Sequence, residues 1–192
     1  MNRIDAAALD SARGKEGLEG TIERFRFFNE VLVWHAHGEE IAVFSILDKV
    51  APLVAEAYLK DHRGLDLAYD KLNQSYSSRD LLQIARATAA FRFHLNMHLD
   101  KEDTHLYRIF RERVPLPEQA KAVSIIASQI PQERFPEFVA WMFPLMGNDD
   151  RENMIRIMQA AFPAANFSKA KELIKKAVGN DWDELTRRIS TL

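Results

Sequence analysis

Two segments of the sequence place a histidine and a glutamate four residues apart within apolar residues that recur at helical spacing. The pairs are His35 with Glu39 and His98 with Glu102. The two runs consist of Phe25, Phe28, Leu32, His35, Glu39, Val43, Ile46 and Val50, and of Phe91, Leu95, His98, Glu102, Leu106 and Ile109. Residues i and i+4 of a helix differ by about 40° in direction, so each pair faces the same way as its apolar neighbours. The pattern predicts two helices that each bury an imidazole and a carboxylate.

Burial of these carboxylates needs a physical reason. An isolated carboxylate is costly in an apolar interior unless it is protonated, paired or bound to a cation. The sequence has no cysteine, which excludes disulfides, thiolate-bound zinc and iron–sulfur clusters. Imidazole with carboxylate suits iron, manganese or zinc. We interpret the two pairs together as a metal site, although each histidine alone would more simply be a core residue satisfied by a neighbouring carboxylate.

The other histidines are sorted by helical phase. His62 lies at the margin of an apolar stripe on the second long helix, so we expect it to point inward. His94 falls at the edge of the buried face of the third helix, and His37 falls far from His35 and is expected to face solvent. Adjacent acids such as Glu40 are expected on solvated faces or in contact with the ligands.

Apolar residues recur at intervals of three and four along the chain without sustained alternation, which predicts an all-α fold. We expect long helices over about residues 21–50, 52–72 and 79–112, with residues 73–78 as a loop and Ser78 as an N-cap. A short helix over about residues 4–13 precedes a break at glycines. Prolines after residue 115 divide the remainder into shorter helices. These are expected at about residues 117–129, 133–146, 149–161, 167–178 and 181–189.

The chain is therefore expected to form one all-helical domain over residues 1–114, with a helical extension over residues 115–192 packed on it. The formal net charge is −2 and no long basic run is present, so we expect no nucleic-acid partner. No apolar block reads as a targeting or membrane segment, so we expect a cytoplasmic protein.

Residues 25–113 resemble the hemerythrin family, specifically its HHE cation-binding domains. The matching residues are His35-Ala-His-Gly-Glu39-Glu40 with Phe44, Asp61-His62, and His98-Leu-Asp-Lys-Glu102-Asp103 with Leu106 and Phe110. This resemblance implies an up-down four-helix bundle over residues 1–114, with a short or degenerate first helix, that holds two non-haem irons through histidines and two bridging carboxylates. It implies the metal ligands His35, Glu39, His62, His98 and Glu102, with the histidines as terminal ligands and the glutamates as bridges.

One histidine of the family pattern is missing, because no histidine precedes residue 35. Three alternatives follow. His94 replaces it, a carboxylate such as Glu19 or Glu23 replaces it, or one iron is weakly held with an open position. The missing bundle helix is expected from residues 3–13, from the C-terminal helices or from a second subunit.

The stretch FPEFVAWMFPLM and the following Arg151-Glu152-Asn-Met154 look like the tail after the hemerythrin domains of plant iron-regulatory ubiquitin ligases. The chain has no cysteine for a zinc-bound RING, so ligase activity is not implied.

The resemblance implies a di-iron protein that binds or senses O2, NO or iron, with manganese or zinc as alternative metals. A homodimer or another protein partner is expected to contact the C-terminal helices. One alternative function is a di-iron enzyme that acts on peroxide or NO. The other is a metal-free helical interaction protein with a degenerate site.

Overall fold

The computed structural model describes residues 2–14 and 18–192, and it divides the chain into two compact units, Met1–Pro115 and Leu116–Leu192. Every regular element within the described residues is helical, so the predicted all-α fold is confirmed. The packing of the second unit on the first stays a prediction. Within the same residues, no helix is both long enough and apolar enough to cross a membrane.

The first unit contains six α-helices and two short π-helical segments among the described residues. They are α1 (Asn2–Ala12), α2 (Leu18–Gly38), π1 (Glu39–Phe44), α3 (Ser45–Val50), α4 (Val54–Ser78), α5 (Leu81–Lys101), π2 (Glu102–Leu106) and α6 (Tyr107–Arg113).

The helix α1 serves as a bundle helix and packs against α2 and α5. Its buried Ile4 and Ala8 join one apolar cluster with Phe25 of α2 and Phe91 of α5. Of the three expected sources of the missing bundle helix, the structure therefore uses the N-terminal segment of the chain itself. Residues 15–17, which contain one of the glycines of the predicted break, lie outside the described residues.

Neighbouring helices α2, α4 and α5 run in alternating directions. Phe25, near the start of α2, stacks on Tyr69 in the second half of α4. Tyr58, near the start of α4, donates a hydrogen bond to the carbonyl of Lys101 at the end of α5 (2.8 Å). This antiparallel arrangement brings the end of α2, the start of α4 and the end of α5 to one end of the bundle.

The predicted loop over residues 73–78 is wrong, because α4 continues to Ser78. Burial of Ser75 and of Tyr76, whose ring packs on Phe25, outweighs the weak helix propensity of this polar stretch. The reversal is made by Arg79, in the left-handed region (φ 54°), and Asp80. Asp80, and not Ser78, caps α5 by accepting hydrogen bonds from the backbone N–H groups of residues 82 and 83.

The π-helical segments shift by one residue the buried face of the two helices that carry the histidine–glutamate pairs. Beyond π1 the fully buried position is Leu47, whereas the predicted Ile46 and Val50 are only half-buried. Beyond π2 the buried position is Phe110 and not Ile109. A π turn is closed by i→i+5 hydrogen bonds and so contains one residue more than an α turn. The regular α-helical spacing used for the prediction is therefore lost at these two segments.

The second unit follows the predicted pattern more closely. Its α-helices are α7 (Leu116–Ser128), α8 (Phe135–Met142), α9 (Asn148–Ala161), α10 (Ala164–Val178) and α11 (Trp182–Arg188). The helix α10 begins three residues before the predicted start, directly after its N-cap residue Pro163. The core of this unit contains the fully buried residues Phe143, Ile155, Ile174 and Leu185.

Candidate metal centre

Four buried side chains from four helical segments meet at one end of the bundle. They are Glu39, at the first position of π1, His62 of α4, His98 of α5, and Glu102, at the first position of π2. Each is at most 4% exposed. Each offers one ligand atom, a histidine nitrogen or a carboxylate oxygen, and these four atoms all lie within 4.8 Å of one another. The structure thus brings together four of the residues expected to bind metal.

His35 lies beside this group and approaches both carboxylates. Its Nε2 atom is 3.3 Å from Oε1 of Glu39 and 3.9 Å from Oε2 of Glu102. The side chain of His35 is 38% exposed, in contrast to the buried rings of His62 and His98.

The other oxygen of each carboxylate faces the two buried histidines. Oε2 of Glu39 lies 3.5 Å from Nε2 of His62. Oε1 of Glu102 lies 2.8 Å from Nε2 of His98 and 3.9 Å from Nε2 of His62. Each carboxylate therefore turns one oxygen toward His35 and the other toward the pair His62 and His98.

Several polar atoms of this group are buried without a hydrogen-bond partner among the residues that the structure describes. They include Oε2 of Glu39, Oε1 of Glu102 and Nε2 of His62. The 2.8 Å contact between His98 and Glu102 lacks hydrogen-bond geometry. Unpartnered buried polar atoms are rare in native proteins. When two ligand atoms each lie about 2.1 Å from the same cation and form a right angle at it, they are about 3 Å apart. The separations of 2.8, 3.5 and 3.9 Å between carboxylate oxygens and imidazole nitrogens in this group therefore suit a shared metal ion.

The electrostatics of the group without metal are those of a buried network of opposite charges. Burial acts to lower the pKa of His35, but the hydrogen bonds and negative charges of Glu102 and Glu39 have the larger effect and raise this pKa to about 10. The pKa of His62 is also raised to about 10, because Glu102, Glu39 and Glu40 outweigh the effect of burial. The histidines in turn hold the pKa values of both Glu39 and Glu102 below the ordinary value, although burial acts in the opposite direction.

The second ring nitrogens of the buried histidines face acids outside the cluster. Nδ1 of His62 lies 2.8 Å from Oε1 of Glu40, in hydrogen-bond geometry. Nδ1 of His98 lies 3.9 Å from Asp61, which also pairs with Lys101. A carboxylate at Nδ1 fixes the ring and leaves Nε2 for a metal. Glu40 thus contacts one of the expected ligands, which is one of its two expected placements.

Aromatic rings pack around the buried histidines. The ring of Phe44 lies 5.1 Å from the ring of His62, and the rings of His62 and His98 are 4.9 Å apart. The ring of Tyr58 lies 6.3 Å from the ring of His98, and its hydroxyl donates a hydrogen bond to the carbonyl of Lys101. These contacts restrict rotation of the imidazoles and limit access of water to the cluster.

Tyr107 is a site residue that the sequence pattern missed. Its hydroxyl donates a hydrogen bond to Oε1 of Glu39. Burial and the charge of Glu39 both raise the pKa of this phenol, so it remains a donor. Five residues along a regular α-helix correspond to a rotation of about 140°, which would turn Tyr107 away from Glu102. The i→i+5 hydrogen bond from the N–H of Tyr107 to the carbonyl of Glu102 corrects this direction.

The structure does not bring the expected substitutes for the missing histidine to the cluster. Glu19, Glu23 and His94 are all exposed. His94 instead lines a surface groove of about 580 Å³ between α4 and α5, together with Lys71 and Arg86. His37 is exposed, in agreement with its helical phase. Of the three alternatives, the placement of these residues favours a site with an open position.

A cavity of about 100 Å³ adjoins the cluster on the side of the histidines. His35, His62 and His98 contribute to its wall. Apolar residues form much of the remainder, namely Leu32, Leu65, Tyr69, Phe91 and Leu95. The volume exceeds the roughly 15 Å³ that a single water requires, so a diatomic molecule fits.

The chain is similar to two proteins of Arabidopsis thaliana. It is 26% identical to the zinc finger protein BRUTUS over 170 aligned residues, and the alignment covers 85% of this chain and 14% of that protein. It is 24% identical to a zinc finger protein BRUTUS-like over 164 aligned residues, and this alignment covers 79% of this chain and 13% of that protein. The chain thus spans about one seventh of the length of these relatives.

These similarities confirm the resemblance to plant proteins that the motifs and the C-terminal stretch indicated. No family model and no solved structure matches the chain.

Proposed function

We propose that the protein binds non-haem iron in the cluster of Glu39, His62, His98, Glu102 and His35. The main support is the set of buried carboxylate and imidazole atoms that face one another without hydrogen-bond partners among the described residues. A cation would replace the missing hydrogen bonds and neutralise the two carboxylates. The absence of thiolates and the presence of carboxylates favour iron or manganese, and the resemblance to HHE domains favours iron.

We further propose that this centre binds or senses O2 or NO, or reports iron itself. Bound ferrous iron would supply an open coordination position and the electrons that O2 or NO binding requires. Around it, Leu32, Phe91 and Leu95 form an apolar part of the cavity wall, while Glu40 orients His62 and Tyr107 holds Glu39. The second unit would transmit the response of the centre by contacting a second copy of the chain or another protein. We expect the protein to act in the cytoplasm.

Metal analysis tests the first part of the proposal. Protein purified with and without oxygen should contain iron, and Glu102→Gln, which keeps the shape of the side chain, should lose most of it. His37→Ala, an exposed histidine next to the cluster, is the matched control and should retain iron. A protein free of iron, manganese and zinc under all growth conditions would show instead that the cluster is a metal-free ion-pair network.

Spectroscopy of the ferrous protein tests the second part. We expect a reversible absorption change with O2 or NO, stoichiometric with the centre. Sustained consumption of NO or peroxide over many equivalents would instead identify a di-iron enzyme. An unchanged spectrum with O2, NO and H2O2 would leave the sensing of iron itself as the function.

A further inference from the structure

We propose that the cluster holds two cations unequally, a resident cation between His62 and His98 and an exchangeable one beside His35. Occupancy of the second position would then follow the concentration of available iron. This inference rests on the proposed iron-binding function and adds to it the means by which the centre responds to iron.

The first step of the argument is the orientation of the two carboxylates. Glu39 directs Oε1 toward His35 (3.3 Å) and Oε2 toward His62 (3.5 Å). Glu102 directs Oε2 toward His35 (3.9 Å) and Oε1 toward His62 and His98. A carboxylate that offers its two oxygens to different histidines is arranged to bridge two cations. The geometry thus defines two positions that share both glutamates.

The two positions differ in their number of protein ligands. The position between His62 and His98 receives two imidazole nitrogens and two carboxylate oxygens, which is the ligand count of a closed protein site. The position beside His35 receives one imidazole nitrogen and two carboxylate oxygens. The exposed Glu19, Glu23 and His94 do not supply the missing ligand.

The two positions also differ in their surroundings. The rings of His62 and His98 are at most 5% exposed, and acids face their second nitrogens. The side chain of His35 is 38% exposed, so this position lies nearer the surface than the one between His62 and His98. A cation there exchanges its water shell for fewer protein ligands.

Tyr107 adds a third difference. Its hydroxyl donates to Oε1 of Glu39, the oxygen that faces His35. A carboxylate oxygen has two lone pairs, so this hydrogen bond leaves one for a cation. Oε2 of Glu39, on the other side, has no hydrogen-bond partner among the described residues and offers both.

An anaerobic titration of the metal-free protein with ferrous iron, monitored by calorimetry and by equilibrium dialysis, tests this inference. We expect two separate binding steps of one equivalent each, with dissociation constants that differ by at least about tenfold. This bound follows from the 10–100-fold effects that even outer contacts have on metal affinity. His35→Ala should remove the weaker step and leave the tighter one, whereas His98→Ala should weaken the tighter step. His37→Ala is the matched control and should leave both steps unchanged, and circular dichroism verifies that each variant is folded.

The outcomes separate this inference from the function on which it rests. Two equivalents bound in one step with equal affinity would overturn the inequality and retain the iron centre. A single equivalent at saturation, unaffected by His35→Ala, would overturn the second position and retain iron binding. No binding by a folded protein would overturn the proposed function itself.

Discussion

Both units of the molecule bury charged side chains, and the difference between them shows how buried charge is used. In the second unit, Arg151 is 6% exposed and its guanidinium is met by the protein. It donates to the carbonyl of Phe143 (2.9 Å), to Asn148 (3.0 Å) and to Asp181 (2.6 Å). In the first unit, Glu39 and Glu102 are at most 1% exposed, yet each retains an oxygen without a hydrogen-bond partner among the described residues. The protein satisfies the charge of Arg151 with its own hydrogen bonds, whereas one oxygen of each carboxylate is left available to a cation.

The largest expected effect follows the removal of a carboxylate from the first unit. Glu102→Ala should abolish most iron binding, because this residue faces all three histidines of the cluster. Iron per protein, measured after reconstitution under anaerobic conditions, provides the test. A variant that retains wild-type iron content would break the contrast between the two units, since Glu102 would then be a structural charge like Arg151.

The converse substitution in the second unit should affect stability alone. Arg151→Met should lower the free energy of unfolding by about 1–3 kcal/mol, because the carbonyl of Phe143 loses its buried donor. Iron content should not change. Chemical denaturation of the metal-free variant measures the first quantity and metal analysis the second. Arg156→Met, which removes an exposed arginine from the same helix, is the matched control and should change stability by less.

A smaller effect is expected at Tyr107. Tyr107→Phe removes the hydrogen bond that fixes Glu39 and keeps the ring, so we expect a loss of about tenfold in iron affinity at the position between His62 and His98, with little change in folding. Tyr58→Phe is the matched control, since that hydroxyl is bonded to the carbonyl of Lys101 and not to a cluster carboxylate. Equal effects of the two substitutions would argue that the hydroxyl of Tyr107 acts only through general packing.

The smallest and most specific effect concerns the stability of the metal-free protein as a function of pH. The pKa values of His35 and His62 are raised from 6.5 to about 10 in the folded protein. Between these values the folded state retains protons that the unfolded state has released, so the free energy of unfolding should fall as the pH rises. The contribution is fully present below pH 6.5.

Urea denaturation of the metal-free protein at several pH values between 7 and 9.5 measures this trend. His35→Gln should make the decline shallower, and His37→Ala should not. A flat profile would show that these imidazoles are not held in the charged form by the two carboxylates.

Most of this architecture could be predicted from the sequence because it depends on residues that lie close together along the chain. Helix positions in the second unit follow from prolines and apolar spacing, and the pairing of His35 with Glu39 and of His98 with Glu102 follows from the i, i+4 rule. The helical phase of His62 was likewise sufficient to predict that its side chain points into the bundle. These inferences needed only the regular geometry of an α-helix.

The features that were missed depend on departures from that geometry or on contacts between distant helices. The continuation of α4 to Ser78 depends on the packing of Tyr76 against Phe25. The contact between Tyr107 and Glu39 joins residues 68 positions apart and depends on the π segment between Glu102 and Leu106. The burial of Leu47 in place of Ile46 has a corresponding cause at π1.

The two π segments also affect how this chain is compared with others. Each acts as one extra residue accommodated within a continuing helix, and each starts at a glutamate of the cluster. A protein whose helices are regular at these points would align with this one only if a gap of one position were placed after Glu39 and another after Glu102. Without those gaps, Leu47 and Phe110 would be matched to surface positions, and the shared interior would go unrecognised.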